Sequence, residues 1–287
     1  KLEIVKFDNK AGQIIASKKT DISYDFITKQ INDIDAFETA IQEFFVENNI
    51  PADTPVVLSL PAVINEFADY PLDLSNTELK EALISESEKN YIFKKTEPTV
   101  SLNKIFTDKE TNTQKIVFSA VQAEQVEHIK LIFKELKLKL IAIDSSLISM
   151  IRGLEVTGQI KEDLENNSEW SIFLVAPNSY VILSFKGHEI LSISENAFAI
   201  KSFNPEDIYP AMATYFLDGL ENKNPDHIIL ISKTNNISAE VLASYFDMSC
   251  KVSFIEENKF AKYFLFPEKI ELFKREEKTD DSEVKVV

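Results

Sequence analysis

Along this chain the hydrophobic residues alternate between a period of two and a period near 3.6. Leu2, Ile4, Val5 and Phe7, the cluster Asp8-Asn9-Lys10-Ala11-Gly12 and then Ile14-Ile15-Ala16-Ser17 spell a β-hairpin. From Asp33 to Asn48 the apolar residues Ile34, Phe37, Ile41, Phe44 and Phe45 recur at the spacings of one buried helix face, and Asn48-Asn49-Ile50-Pro51 ends it. Pro55-Val56-Val57-Leu58-Ser59-Leu60-Pro61 is a short apolar run between prolines, which predicts a fully buried central strand. Ser75-Asn76-Thr77-Glu78 is a capping box, so a helix is expected from about Asn76 to Lys89, with Tyr91-Ile92-Phe93 leaving it. Strands are expected over 99–106 and 115–121, flanking a polar tip. A helix follows over 123–136, with Val126, Ile129, Ile132, Phe133 and Leu136 on one face, then a strand over 138–144 and a helix over 145–154.

The run Lys161 to Ser168 is the most polar interior stretch and marks the expected boundary between two halves, with its carboxylates Glu162 and Asp163 in water. Strands resume over 170–176, 179–185 and 188–193, joined by turns at Pro177-Asn178 and Lys186-Gly187. A helix over 208–220, a strand over 227–232, a helix over 238–246 and a short strand over 251–254 complete the second half. After Phe273 no apolar period survives, and 274–287 is expected to be a disordered tail. Each half passes from antiparallel strands through a helix to a short buried strand, the rhythm of an α/β chain with two related lobes.

Composition narrows the functions open to such a chain. The 287 residues carry 31 Lys and Arg against 47 Asp and Glu, a net charge of −16, which repels nucleic acid and anionic lipid. The longest uncharged apolar run, Trp170 to Phe185, is broken by Pro177-Asn178, so no direct membrane insertion is expected. One cysteine, Cys250, cannot make an internal disulfide and is expected to be a small core residue. His128, His188 and His227 have no metal-type neighbours at helical spacing; they read as surface or rim residues, and no metal is expected. Asp144, at the end of an apolar strand, is placed either to cap the next helix or to serve a site. Only five glycines are present, against the roughly twenty that average usage would give, and no Gly-rich phosphate loop occurs.

Four stretches, taken in order, resemble the PilM family of type IV pilus assembly proteins, a branch of the actin-like fold that also includes FtsA. They are Lys1-Leu2-Glu3-Ile4-Val5-Lys6, then Val56-Val57-Leu58-Ser59-Leu60-Pro61. Next come Tyr70-Pro71-Leu72 with Glu78-Leu79-Lys80-Glu81-Ala82 and Lys89-Asn90-Tyr91-Ile92-Phe93. The last runs from Ile116-Val117-Phe118-Ser119-Ala120-Val121 to Leu140-Ile141-Ala142-Ile143-Asp144 and Arg152. The resemblance implies an α/β, two-lobed actin-like fold of RNase H-like lobes with a small inserted subdomain at about 65–120. The first lobe would span 1–165 and the second 166–273.

The departures from the family concern nucleotide. Actin-like ATPases open each lobe with an Asp-x-Gly turn, and none occurs here. The chain lacks an initiator Met, and the first such turn would lie upstream of Lys1. The second would follow Ile172-Phe173-Leu174-Val175, where Ala176, Pro177 and Asn178 stand. Proline has no N–H to give a phosphate, and the Cβ atoms obstruct its approach. The Gly-Gly turn beside adenosine would follow Ile229-Leu230-Ile231, where the loop contains Asn235 and Asn236 and no glycine. The resemblance therefore implies a pseudo-ATPase without cofactor. It would be a cytoplasmic scaffold that binds the tail peptide of an inner-membrane, PilN-like partner in a groove between the first lobe and its subdomain. Leu60, Pro61, Tyr91, Phe93 and Asp144 would border that groove. The rivals are an ATP-binding actin-like ATPase whose first phosphate loop precedes Lys1, and an unrelated α/β scaffold.

Overall fold

The computed structural model describes residues 2–8, 13–25, 27–176, 179–197, 205–220, 224–232, 238–246, 250–256 and 285–286. Contacts divide the chain into two units. One holds Lys1–Val156 together with the strand at Lys285–Val286, and the other holds Thr157–Phe260.

The first unit opens with the expected hairpin, β1 (Leu2–Asp8) against β2 (Gln13–Thr20). Helix α1 (Ile34–Glu47) follows, with the Asp33 carboxylate accepting from the Ala36 N–H at 3.0 Å as its cap. Phe37, Ile41 and Phe44 are buried as the spacing predicts, each contributing roughly 1.5–3 kcal/mol of burial. Strand β3 (Pro55–Leu60) precedes β4 (Ile64–Pro71), α2 (Asn76–Ser87), a 3₁₀ turn at Tyr91–Lys94, β5 (Pro98–Asp108) and β6 (Thr113–Gln122). Then come α3 (Ala123–Glu135), β7 (Lys139–Ser145) and α4 (Ser146–Val156).

These elements make two layers with separate cores. Leu60, Leu140 and Ile143 pack with α1 and with Val126, Ile129, Ile132 and Phe133 of α3, and Leu2 and Ile4 of β1 join the same cluster. The antiparallel sheet β4-β6-β5 carries α2 on its own core of Ile64, Leu79, Leu83, Phe93, Val100, Ile116 and Phe118. This is the inserted subdomain.

Strand β3 departs from expectation. It pairs in parallel with β7, but Val56, Val57, Leu58 and Ser59 are only half-buried, and among the described residues no strand pairs with its other edge. Hairpin β1-β2 shares the core cluster but forms a separate sheet. An apolar run reads as central wherever both edges are expected to be filled, and among the described residues one is not.

In the second unit, α5 (Lys161–Asn166) leads into a sheet of five strands. These are β8 (Glu169–Val175), β9 (Ser179–Lys186), β10 (Glu189–Ala197), β11 (His227–Ser232) and β12 (Lys251–Glu256), in the order β10-β9-β8-β11-β12. The first three are antiparallel, and β11 is parallel to both its neighbours. Helices α6 (Pro205–Gly219) and α7 (Ala239–Ala243) supply Ile208, Met212, Phe216 and Leu242 to the core against Phe173, Ile182, Ile228 and Leu230. Trp170 stacks on Phe185 at 4.1 Å and donates to the Gly187 carbonyl at 2.9 Å. Gly187 turns at φ 51°, and a Cβ there would stand 3.1 Å from the Cα of Asn167. The polar run expected to mark the boundary is helical over Lys161–Asn166, and by contacts the units divide before it, after Val156. Cys250 is half-buried rather than fully so. Its surroundings raise its thiol pKa, chiefly by withholding water from the thiolate.

The tail expected to be disordered from 274 onward lies outside the described residues except for β13 (Lys285–Val286) and needs correction there. β13 pairs in parallel with Ala142 and Ile143 of β7, giving the order β13-β7-β3.

Candidate functional site

The first unit has a seam where the C-terminal ends of β3 and β7 meet the subdomain sheet. Leu60, Ile143, Asp144 and Ser145 from the first layer face Ser101, Ser119 and Val121 of β5 and β6 across a cavity of about 10 Å³, the room of one water and far too little for a nucleotide. Asn65 stitches the two layers. Its Oδ1 accepts from Ser119 Oγ at 2.8 Å and from Ser145 Oγ at 3.0 Å. Behind them Asp144 takes a hydrogen bond from the Arg152 guanidinium, with both side chains shut off from solvent. Strand β13 closes the seam on one side, laddered to β7 and lying against β5.

Of the residues expected to border a peptide groove, Leu60 and Asp144 line this cavity together. Pro61 follows Leu60 and is half-buried. Phe93 is buried in the subdomain core under α2, and Tyr91 stands out in solvent. Neither lines the cavity. Ala176 follows β8, and its N–H is committed to the Ser179 carbonyl at 2.8 Å, closing the β8–β9 hairpin. Pro177, Asn178, Asn235 and Asn236 lie outside the described residues.

The second unit holds a constellation that the sequence reading passed over. His227 is 1% exposed. Its Nδ1 lies 2.7 Å from Asp163 Oδ2 and its Nε2 lies 2.8 Å from Ser253 Oγ. An ionised carboxylate only accepts, so Nδ1–H donates to it, and in the neutral ring that tautomer leaves Nε2 to accept from the Ser253 hydroxyl. Asp163 also takes the Ser168 hydroxyl at 3.0 Å. Asp163, expected in water, is buried, and His227, expected at the surface, is in the core; each compensates the other's desolvation. Beside them Glu162 does lie in solvent, ion-paired to Lys251 at 2.9 Å. The signal available in the sequence was His227 opening the apolar run Ile228-Ile229-Leu230-Ile231, where a lone polar residue needs a partner. Ser253 sits in the middle of strand β12, and the network ties α5, β11 and β12 together.

A shallow polar pocket of about 300 Å³ lies at the start of α3, lined by Gln30, Ile31, Asn32, Ile34, Glu124, Gln125 and His128. The loop over it is fixed by Gln125, which accepts from the Ile31 N–H at 2.9 Å and donates to the Lys29 carbonyl at 3.2 Å. Among the described residues, no three His, Cys, Asp or Glu side chains gather to hold a metal ion, and no helix is long and apolar enough to cross a membrane.

No family model and no curated protein matches the sequence. Among solved structures, a chain of a PilM–PilN type IV pilus biogenesis complex matches with TM-score 0.65 at 13% identity, over 92% of this chain and 90% of that one. A Bacteroides thetaiotaomicron protein of actin-like ATPase fold and unknown function matches at 13% identity and TM-score 0.49, over 89% and 87% of the two chains. The cytoplasmic domain of EpsL, an inner-membrane component of the type II secretion system of Vibrio cholerae, matches at 9% identity and TM-score 0.49, over 91% and 86%. The first of these likenesses establishes the fold. The chain has the two-lobed actin-like fold of a PilM-type protein, with the small subdomain inserted in the first lobe.

Proposed function

We propose that this protein is a non-catalytic, actin-like scaffold of a bacterial type IV pilus or related secretion apparatus. It would hold the cytoplasmic tail of an inner-membrane, PilN-like partner along the seam of its first unit. Placed in this way, it would be cytoplasmic and peripheral to the inner membrane through that partner. The observation that carries the reading is the likeness, over nine-tenths of both chains, to a chain from a PilM–PilN complex.

Two features of the chain support it. The seam has a strand edge on β7, which among the described residues is laddered at Ala142 and Ile143 by a strand of this chain, and such an edge is a means by which an extended peptide is held. The glycine-free loops at Ala176-Pro177-Asn178 and Asn235-Asn236 argue against a phosphate cradle.

Thermal unfolding of the full native protein with ATP and Mg²⁺, and separately with synthetic cytoplasmic tails of inner-membrane proteins encoded beside its gene, tests the proposal. A ligand at about a hundred times its dissociation constant stabilises by roughly 2.7 kcal/mol. For a chain of this length that raises the midpoint by several degrees. The expected result is a shift with one of the tails and none with millimolar nucleotide. A shift with nucleotide alone would overturn the proposal and favour an ATP-binding ATPase.

A further inference from the structure

We propose that the edge of β7 opposite β3 is a seat for one extended segment, which Lys285–Val286 fills in cis and which the partner's tail must take over. The seat itself stands on the observed ladder; the identity of the competitor rests on the scaffold reading above.

On its β3 edge, β7 is paired from Lys139 to Ser145. On the other edge, among the described residues, β13 pairs with Ala142 and Ile143. An extended segment running in the same direction can pair with the same edge. An open strand edge is a template for another strand, and proteins keep such edges covered. β13 also touches β5, so its place is where the two sheets of the unit approach each other, beside the cavity that Ser101 of β5 shares with Asp144 and Ser145 of β7. An occupant therefore gains backbone bonds from one sheet and contact with the other.

The sequence of the occupant fits the role. Val284-Lys285-Val286-Val287 is β-branched at three of four positions, as a strand former should be, carries one lysine, and follows Glu276, Glu277, Asp280, Asp281 and Glu283. A tethered segment acts at an effective concentration on the order of millimolar, so even a weak strand holds its seat against a free peptide. Only a longer or more complementary segment displaces it. A chain of net charge −16 favours a basic one, and Lys and Arg are the residues that crowd the cytoplasmic flanks of membrane spans. The partner segment is therefore extended, β-branched and basic, and it pairs in parallel with β7.

Hydrogen exchange on the full chain, on a chain ending at Phe273, and on the full-length double variant Lys285→Pro/Val286→Pro tests the seat. Proline removes the amide that a ladder needs, and the double variant leaves the 274–284 segment in place. The expected result is exchange at least about tenfold faster in the β7 amides of both altered chains, with the thermal midpoint little changed. Unchanged exchange in the double variant overturns the seat. The same three chains titrated with the synthetic tails test the competition. Expected is roughly three- to tenfold tighter binding of a tail to the two altered chains. A tail that binds all three equally overturns the competition while leaving the scaffold reading intact. If no tail binds any chain, the scaffold reading fails, and the exchange result alone decides the seat.

Discussion

Asp163 Oδ2 and His227 Nδ1 lie 2.7 Å apart although the residues are separated by 64 positions, and both side chains are buried. The contact fastens α5 to the first residue of β11, and Ser253 on the far side of the ring extends the fastening to β12 at 2.8 Å. Asp163→Ala leaves a buried imidazole with one partner gone and is expected to destabilise by about 2–3 kcal/mol, with Ser253→Ala near 1 kcal/mol. The two losses should not add, because both act on one ring. Urea unfolding of the single and double variants measures the coupling.

Asp144 and Arg152 form the corresponding buried pair in the first unit, 1–2% exposed. Removing one member strands a charge out of water, so Arg152→Met is expected to cost about 3–5 kcal/mol. Replacing both with apolar residues of similar volume should recover most of that loss. The seam places Asp144 beside the cavity with Leu60, so the double variant should also weaken tail binding more than its stability implies. Unfolding midpoints and tail titrations on the same preparations separate the two effects.

Ser75 and Glu78 close a capping box at the start of α2, with Ser75 N–H donating to Glu78 Oε2 at 2.8 Å and Glu78 N–H donating to Ser75 Oγ at 3.3 Å. Ser75→Ala is expected to destabilise by about 1 kcal/mol, and Ser75→Asp to be nearly neutral. Denaturant unfolding of both variants checks this.

Glu162 and Lys251 pair in solvent at 2.9 Å. The hydrogen bond and charge of Lys251 hold the Glu162 carboxyl below its usual pKa, and Glu162 raises that of Lys251. A lowered acid contributes stability above its unfolded pKa and loses it as pH falls through the folded value. A raised lysine contributes below its unfolded pKa and loses it as pH rises through the folded value. Glu162→Gln should therefore lower the midpoint slightly across neutral pH, and the difference should vanish at both the acid and the alkaline end. High salt should remove it throughout, as for any exposed pair. Melting curves across pH and salt test each limb.

Elements with one clean period were legible in the sequence. The capping box at Ser75, the buried face of α1 and the Lys186-Gly187 turn stand where the pattern put them. Strand β4 was not legible. Glu66 falls in the same row as Ile64, Ala68 and Tyr70, so the alternation that marks a strand is broken there. Asp163 was not legible as buried because it stands in a run of charged and amide residues broken only by Leu164, and its buried partner is a histidine distant in sequence. At the seam, Leu60 and Asp144 were legible as the ends of apolar strands. Asn65, Ser119 and Ser145 were not, since three ordinary polar residues acquire a joint role only once two sheets bring them within hydrogen-bond reach. The ladder of Lys285–Val286 on β7 was hidden for the same reason: two residues carry no period.

The central claim is that the first unit holds an extended tail and that nucleotide plays no part. Hydrogen exchange on the full native protein, with a saturating synthetic tail and separately with millimolar ATP and Mg²⁺, tests it most directly. The account predicts slower exchange in β3, β5 and β7 with the tail and no change anywhere with nucleotide. Protection by nucleotide at the β8–β9 turn and the 233–237 loop, with β7 indifferent to every tail, would contradict it.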